Sequence, residues 1–158
     1  MKTLIAATLL AALPALAACG GDDTTASDPS TPSPSASTTA GPGSYPSFAP
    51  EDYTYRLEVL CFCPMPGPAE VTVQGGEVVS AVLVKGGRGM PKGSDAPEYM
   101  QLTINDVIDS ANDPQADDVE VDWPDGQDYP SSVAVDQSKQ AMDDEVTYVV
   151  KDVAVSEG

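Results

Sequence analysis

Between residues 53 and 63 the chain alternates in polarity. Tyr53, Tyr55, Leu57, Val59, Cys61 and Cys63 fall on one face of an extended strand, and Thr54, Arg56, Glu58, Leu60 and Phe62 on the other. Successive side chains of an extended backbone point to opposite sides, so this period of two predicts a half-buried strand. Two further alternating runs, 70–74 and 77–84, are joined by Gly75 and Gly76. Adjacent glycines tolerate the positive φ that a two-residue hairpin requires, and the predicted register sets Val73 opposite Val78 and Val71 opposite Ser80. After a glycine-rich loop over 85–99 comes a helix signature. Thr103 caps it with Asp106 three residues on, Leu102 and Val107 take the staple positions, and Ile104, Val107, Ile108 and Ala111 form the apolar stripe before Pro114. Residues 118–123 and 130–136 alternate again around a Pro-Asp-Gly turn, with Val119, Val121, Trp123, Val133 and Val135 inward, and a last strand covers 146–155. The expected fold is α+β: a small antiparallel sheet of about six strands, ordered β-β-β-α-β-β-β, with one helix packed on one face.

The first 50 residues follow a different pattern. Lys2 precedes an apolar run from Leu4 to Leu16, then Ala17, Ala18 and Cys19. A charged start, an apolar middle and small residues before a cut describe an export signal. The run is too short for a permanent membrane span, which takes roughly 20 apolar residues. Leu-Ala-Ala-Cys resembles a bacterial lipobox, which implies a signal peptide over 1–18, acylation of Cys19 (palmitate among the expected groups) and attachment to the outer face of the cell membrane. Two acyl chains anchor stably where one does not. Residues 19–50 are rich in Ser, Thr, Pro, Ala and Gly and nearly free of large apolar side chains. Such a segment buries too little to offset its ordering entropy, so it is expected to be a disordered tether with a span of about 30 Å. The expected division is then 1–18, 19–50, one domain at 51–155, and a tail at 156–158.

Charge narrows the partners. Seven basic side chains stand against 25 acidic ones, and loss of Lys2 with the signal leaves six against 25, a sum of −19. That argues against nucleic acid and against docking on anionic lipid, and suits a cationic partner. The chain has no histidine, which excludes serine–histidine–acid and cysteine–histidine catalysis. Adjacent acids such as Asp117-Asp118 and Asp143-Asp144-Glu145 point to opposite faces of a strand and make no converging pair. Asp122, Asp125 and Asp128 surround a Pro-Asp-Gly turn but lack the order of a calcium loop. No enzyme activity, cofactor or metal site is expected.

Three groups of residues remain as candidate sites. Lys85, Arg88 and Lys92 put half of the mature chain's basic residues on one mobile loop, a candidate anion contact that matches no phosphate-binding motif. Leu60 and Phe62, on the face opposite the expected core, and Tyr129 beside a turn form a candidate contact patch. Cys61 and Cys63 are the only cysteines besides Cys19. Residues i and i+2 of an ideal strand lie roughly 6.6 Å apart, at the far edge of disulfide spacing. Pro64 follows directly and ends regular pairing, so a kink that joins the sulfurs is expected. Reduced thiols and a redox or soft-metal pair are the alternatives. Two thiolates alone make a poor zinc site.

Several stretches together resemble a family of secreted and lipid-anchored bacterial proteins known only as a domain of unknown function. They are Tyr53-Thr54-Tyr55, Cys61-Phe62-Cys63-Pro64, Gly76-Glu77-Val78-Val79, Tyr129-Pro130-Ser131-Ser132-Val133, and Asp143-Asp144-Glu145-Val146 with Tyr148. The resemblance covers roughly 50–155 and implies location and fold, with no catalytic residues to carry over. The expected role is a non-catalytic binding module displayed outside the membrane, held by the lipid on Cys19 and meeting an envelope partner or ligand. Its alternative is an extracytoplasmic thiol redox or soft-metal-handling protein that uses Cys61 and Cys63.

Overall fold

The computed structural model describes residues 43–141 and 143–156. The expected signal peptide, Cys19, and the tether up to residue 42 lie outside the described residues, as do residues 157–158 of the expected tail.

Six strands form one antiparallel sheet: β1 (Tyr53–Cys61), β2 (Ala69–Gln74), β3 (Glu77–Leu83), β4 (Asp118–Asp122), β5 (Ser132–Asp136) and β6 (Glu145–Val155). Their order is β3-β2-β1-β6-β5-β4, so the first and last strands pair at the centre and join two meanders into one sheet. The single helix α1 (Ile104–Ala111) packs on β4 and β5. It begins at the predicted cap: the Thr103 side chain accepts the Asp106 N–H, and the Asp106 carboxylate accepts the Thr103 N–H at 2.7 Å. Ile104, Val107, Ile108 and Ala111 are all buried, the predicted stripe.

The other half of the same sheet face is covered by the long connection before α1. Residues 93–96 run along the free edge of β3, with the Leu83 N–H bonded to the Ser94 carbonyl and the Ala96 N–H to the Ala81 carbonyl, each at 2.9 Å. That pairing buries Ala96, and the 3-10 turn at Glu98–Met100 buries Met100. Two tyrosines of β1 then fasten the connection to the sheet. The Tyr55 hydroxyl donates to the Leu102 carbonyl, and the Tyr53 hydroxyl accepts the Ile104 N–H at 3.0 Å. Burial pushes both phenols above the usual tyrosine range.

Two expectations need correction. The Gly75–Gly76 turn forms, with φ of 58° and 78°, and Val73 opposes Val78, but Val71 opposes Ala81 and not Ser80. A bulge between Thr72 and Val73 leaves an extra residue on β3. The bulge turns Ala81 and Leu83 to the core and Val79 outward, 55% exposed. The ordered region also starts before residue 51. Phe48 is buried to 4% exposure, and Tyr45 packs against the core. Two asparagines of α1 and its C-cap grip this strap through both amide groups: Asn105 on the N–H and carbonyl of Phe48, and Asn112 on those of Tyr45, at 2.7 to 3.2 Å. Tyr45 stacks on Trp123 with ring centroids 5.7 Å apart. At the other end of the domain, the Ser156 N–H donates to the Asp52 carbonyl at 2.9 Å, so the first residue of the expected tail still pairs with the domain.

The register defines two poles. β1 runs from Tyr53 to Cys61, and its neighbours alternate in direction. The strap, Tyr53, Trp123 and the Gly75–Gly76 turn therefore share one pole. Cys61, Glu145, Asp136, Asp118 and the connection after Leu83 share the other.

Candidate functional site

Cys61 and Cys63 sit at the second pole, where β1 ends. They are in close contact, with Cα atoms 5.1 Å apart, shorter than the spacing of an ideal strand and inside the range a disulfide takes. The chain therefore bends there, as Pro64 suggested. A pinch between residues i and i+2 projects the side chain between them, and Phe62 is 86% exposed.

The candidate contact patch does not assemble as one surface. Leu60, 42% exposed, lies opposite Thr147 on the outer face of the sheet, turned away from the core. Tyr129 lies at the strap pole and meets Phe48 edge-on at 5.7 Å, so it is half-buried against the core. Phe62 belongs to a third place, a cleft of about 370 Å³ lined by Val59, Cys61, Phe62, Cys63, Tyr99, Asp143, Val146 and Tyr148.

This cleft is the part of the core face that α1 leaves uncovered and that the long connection borders only through Tyr99. Val59 opposes Tyr148 and Cys61 opposes Val146 across the β1–β6 pair. Burial of that row therefore falls from complete at Leu57 to partial at Cys61. Tyr99 closes one side. Its hydroxyl donates to the Pro64 carbonyl at 2.6 Å, which ties the ring to the cysteine turn. Asp143 is the one charged side chain on the lining, and among the described residues no lysine or arginine pairs with it. Sequence reasoning missed Tyr99, Val146, Tyr148 and Asp143 as site residues. The resemblance named the last three, but no local pattern ties them to Phe62.

The basic loop contains a hydrogen-bonded turn. Gly87 and Met90 exchange two hydrogen bonds of 2.9 Å, with Arg88 and Gly89 at φ of 50° and 85° in the turn between them. Gly86 and Gly87 approach other backbone so closely that a Cβ on Gly87 would sit 2.9 Å from the Pro66 carbonyl oxygen. Lys85, Arg88 and Lys92 form no ion pair among the described residues, whereas Arg56, Lys139 and Lys151 reach Asp152, Asp118 and Glu58. The three cations therefore sit on or beside a hydrogen-bonded turn at the same pole as the cleft, but none of them lines it.

A trough of about 380 Å³ on the outer face offers different chemistry. It is lined by Asp118, Glu120, Asp136 and Glu145 with Ala134 and Val135, and has no aromatic surface. Among the described residues no three His, Cys, Asp or Glu side chains are grouped to hold a metal ion. Asp122 of the Pro-Asp-Gly turn accepts the Ser131 hydroxyl at 2.6 Å, and the Trp123 indole N–H donates to the Gln127 carbonyl at 2.6 Å. These contacts hold the turn.

A family of unknown function, DUF6174, matches residues 38–155 of the chain. The match begins before Tyr45, so it takes in the strap as well as the sheet. No curated protein and no solved structure matches.

Proposed function

The chain belongs to the DUF6174 family, and from that premise we propose a lipoprotein of the cell envelope whose domain is a non-catalytic binding module. In this reading Cys19 carries the lipid and holds the protein on the outer face of the bacterial cell membrane. The strap then joins the chain to the domain at one pole, and the cleft beside Phe62 lies at the other. The observation that carries the reading is the preformed apolar cleft with an aromatic side chain held out beside it. Its volume falls at the lower end of small-ligand sites and of pockets that seat one or two anchor side chains. The Cys61–Cys63 pair acts here as a structural disulfide. It closes too small a loop to contribute much chain entropy, and its effect is to keep Phe62 extended.

A photo-crosslinking amino acid at position 62, read in intact cells, tests the binding role. A discrete envelope adduct at 62, absent when the probe stands at exposed Val79, is the expected result. Equal labelling at both positions, or none at 62, sinks the proposal. Cys19→Ser tests the anchor: the protein should leave the membrane fraction, and retention there counts against lipidation.

One observation favours a second reading. Both sulfurs are half-buried at the cleft rim and not sealed in the core. Thiol redox chemistry or soft-metal handling at Cys61 and Cys63 would use that access. Alkylation followed by intact mass, across a series of glutathione redox buffers, separates the two. Cycling of the pair under mild reductant supports the redox reading, and resistance to it supports the structural one.

A further inference from the structure

We propose that the cleft at Cys61–Cys63 takes a basic side chain, arginine or lysine, presented by a partner polypeptide. The inference rests on the binding role proposed above and names the chemistry of the occupant.

Three features of the cleft converge on that chemistry. Its lining holds three aromatic rings, Phe62, Tyr99 and Tyr148, whose electron-rich faces attract a cation with an apolar body. Its single charged group is the Asp143 carboxylate, which no lysine or arginine of the described residues neutralises. Asp144 and Glu145 follow it at the same pole. An anionic occupant would meet the exposed Asp143 carboxylate as a like charge, and a purely apolar one would leave it unpaired. A guanidinium or ammonium would pair with it while its methylene stem covered Val59 and Val146.

The site is also held in shape before anything binds. The Tyr99 ring is fixed by its bond to the Pro64 carbonyl, and the close contact of Cys61 with Cys63 sets the projection of Phe62. Side chains already held in place lose less entropy on binding. The charge of the whole chain acts in the same direction: with seven basic side chains against 25 acidic, its field draws cationic partners toward it. Lys85, Arg88 and Lys92 lie at the same pole but are not among the residues that line the cleft.

The test uses the full chain in detergent, isotopically labelled, titrated with three capped tripeptides and with phosphocholine, and followed by nuclear magnetic resonance. The probes are Ac-Leu-Arg-Leu-NH2, the same peptide with norleucine at the centre, and the same with glutamate. The arginine peptide should move the ring signals of Phe62, Tyr99 and Tyr148 and bind about fivefold or more tighter than the norleucine peptide, with glutamate weakest. Asp143→Asn should remove most of that advantage and leave norleucine binding unchanged. Raising the salt should weaken the arginine peptide alone. The proposal falls if norleucine or glutamate binds as well as arginine, if Asp143→Asn changes nothing, or if phosphocholine outcompetes the arginine peptide. Norleucine binding that maps to the cleft and matches arginine in affinity would overturn the choice of a cation and leave the binding role standing. Absence of binding by every probe, with a crosslinked partner at 62, would likewise overturn only the cation. Absence of both would overturn the two together.

Discussion

Tyr53 and Tyr55 do more at the residue scale than fill the core. Tyr55 places its hydroxyl on the Leu102 carbonyl just ahead of α1 and Tyr53 on the N–H of its first residue, Ile104, so the sheet positions the start of the helix through two side chains on one face of β1. Tyr55→Phe keeps the ring and removes the donor to the Leu102 carbonyl. It should cost about 1 kcal/mol at neutral pH, seen as a lower urea midpoint with an unchanged slope. The same phenol sets a dependence on alkali. In the unfolded chain it ionises near 10, while in the fold burial, then the neighbouring Tyr53 and Asp106, raise its pKa. A raised pKa means that the fold holds its full stability below pH 10 and loses it as pH climbs from there toward the folded value. The loss is at most about 1.4 kcal/mol per pH unit for each such tyrosine. Urea midpoints at pH 8, 10 and 11 should therefore fall less steeply for Tyr55→Phe than for the parent chain. Parallel curves would show that Tyr55 does not carry the effect.

Elements were legible where their information is local. The Thr103–Asp106 box and the stripe from Ile104 to Ala111 are readable because cap and stripe recur at helical spacing. Thr103→Ala should cost about 1 kcal/mol by the same denaturation assay. The hairpin after Gly76 shows where local reading ends. In the run from Glu77 to Val84 both phases of the alternation contain apolar side chains, so the pattern alone does not reveal the bulge. What decides it is a segment distant in sequence at the free edge of β3, where the Ala96 N–H bonds to the Ala81 carbonyl and the Leu83 N–H to the Ser94 carbonyl. The two registers make opposite forecasts for charge. Val79→Asp, on the exposed bulge, should change stability by no more than about 0.5 kcal/mol. Ala81→Asp, which faces the core beside Leu83, should cost at least about 3 kcal/mol. Thermal melts of the two variants distinguish the registers directly, and equal losses would contradict the bulge.

For the whole molecule, the decisive contact is between the two strands furthest apart in sequence. Pairing of β1 with β6 brings Val146 and Tyr148 opposite Cys61 and Val59, and only then does a cleft exist beside Phe62. Phe62 and the cysteines were legible because a single short motif carries them. Tyr99, Asp143, Val146 and Tyr148 were not, since which strands become neighbours follows from closing the sheet and not from any window of the chain. Composition also set the domain boundary too late. Ser, Pro and Gly surround Tyr45 and Phe48, which makes the segment read as tether, yet these two rings pack on the core while Asn105 and Asn112 bond their backbone groups. The strap is thus part of the fold, held to α1 through Tyr45 and Phe48. Phe48 fills space between Tyr53 and Tyr129, with ring centroids at 5.1 and 5.7 Å, so Phe48→Ala should leave a cavity costing about 3 to 5 kcal/mol. A chain begun at residue 51 should melt well below one begun at residue 43; were the strap mere tether, the two would melt together and neither Tyr45→Ala nor Phe48→Ala would lower the melt. Equal melting of the 43 and 51 chains would return the boundary to residue 51. A large gap, matched in most part by Phe48→Ala alone, places the strap inside the fold.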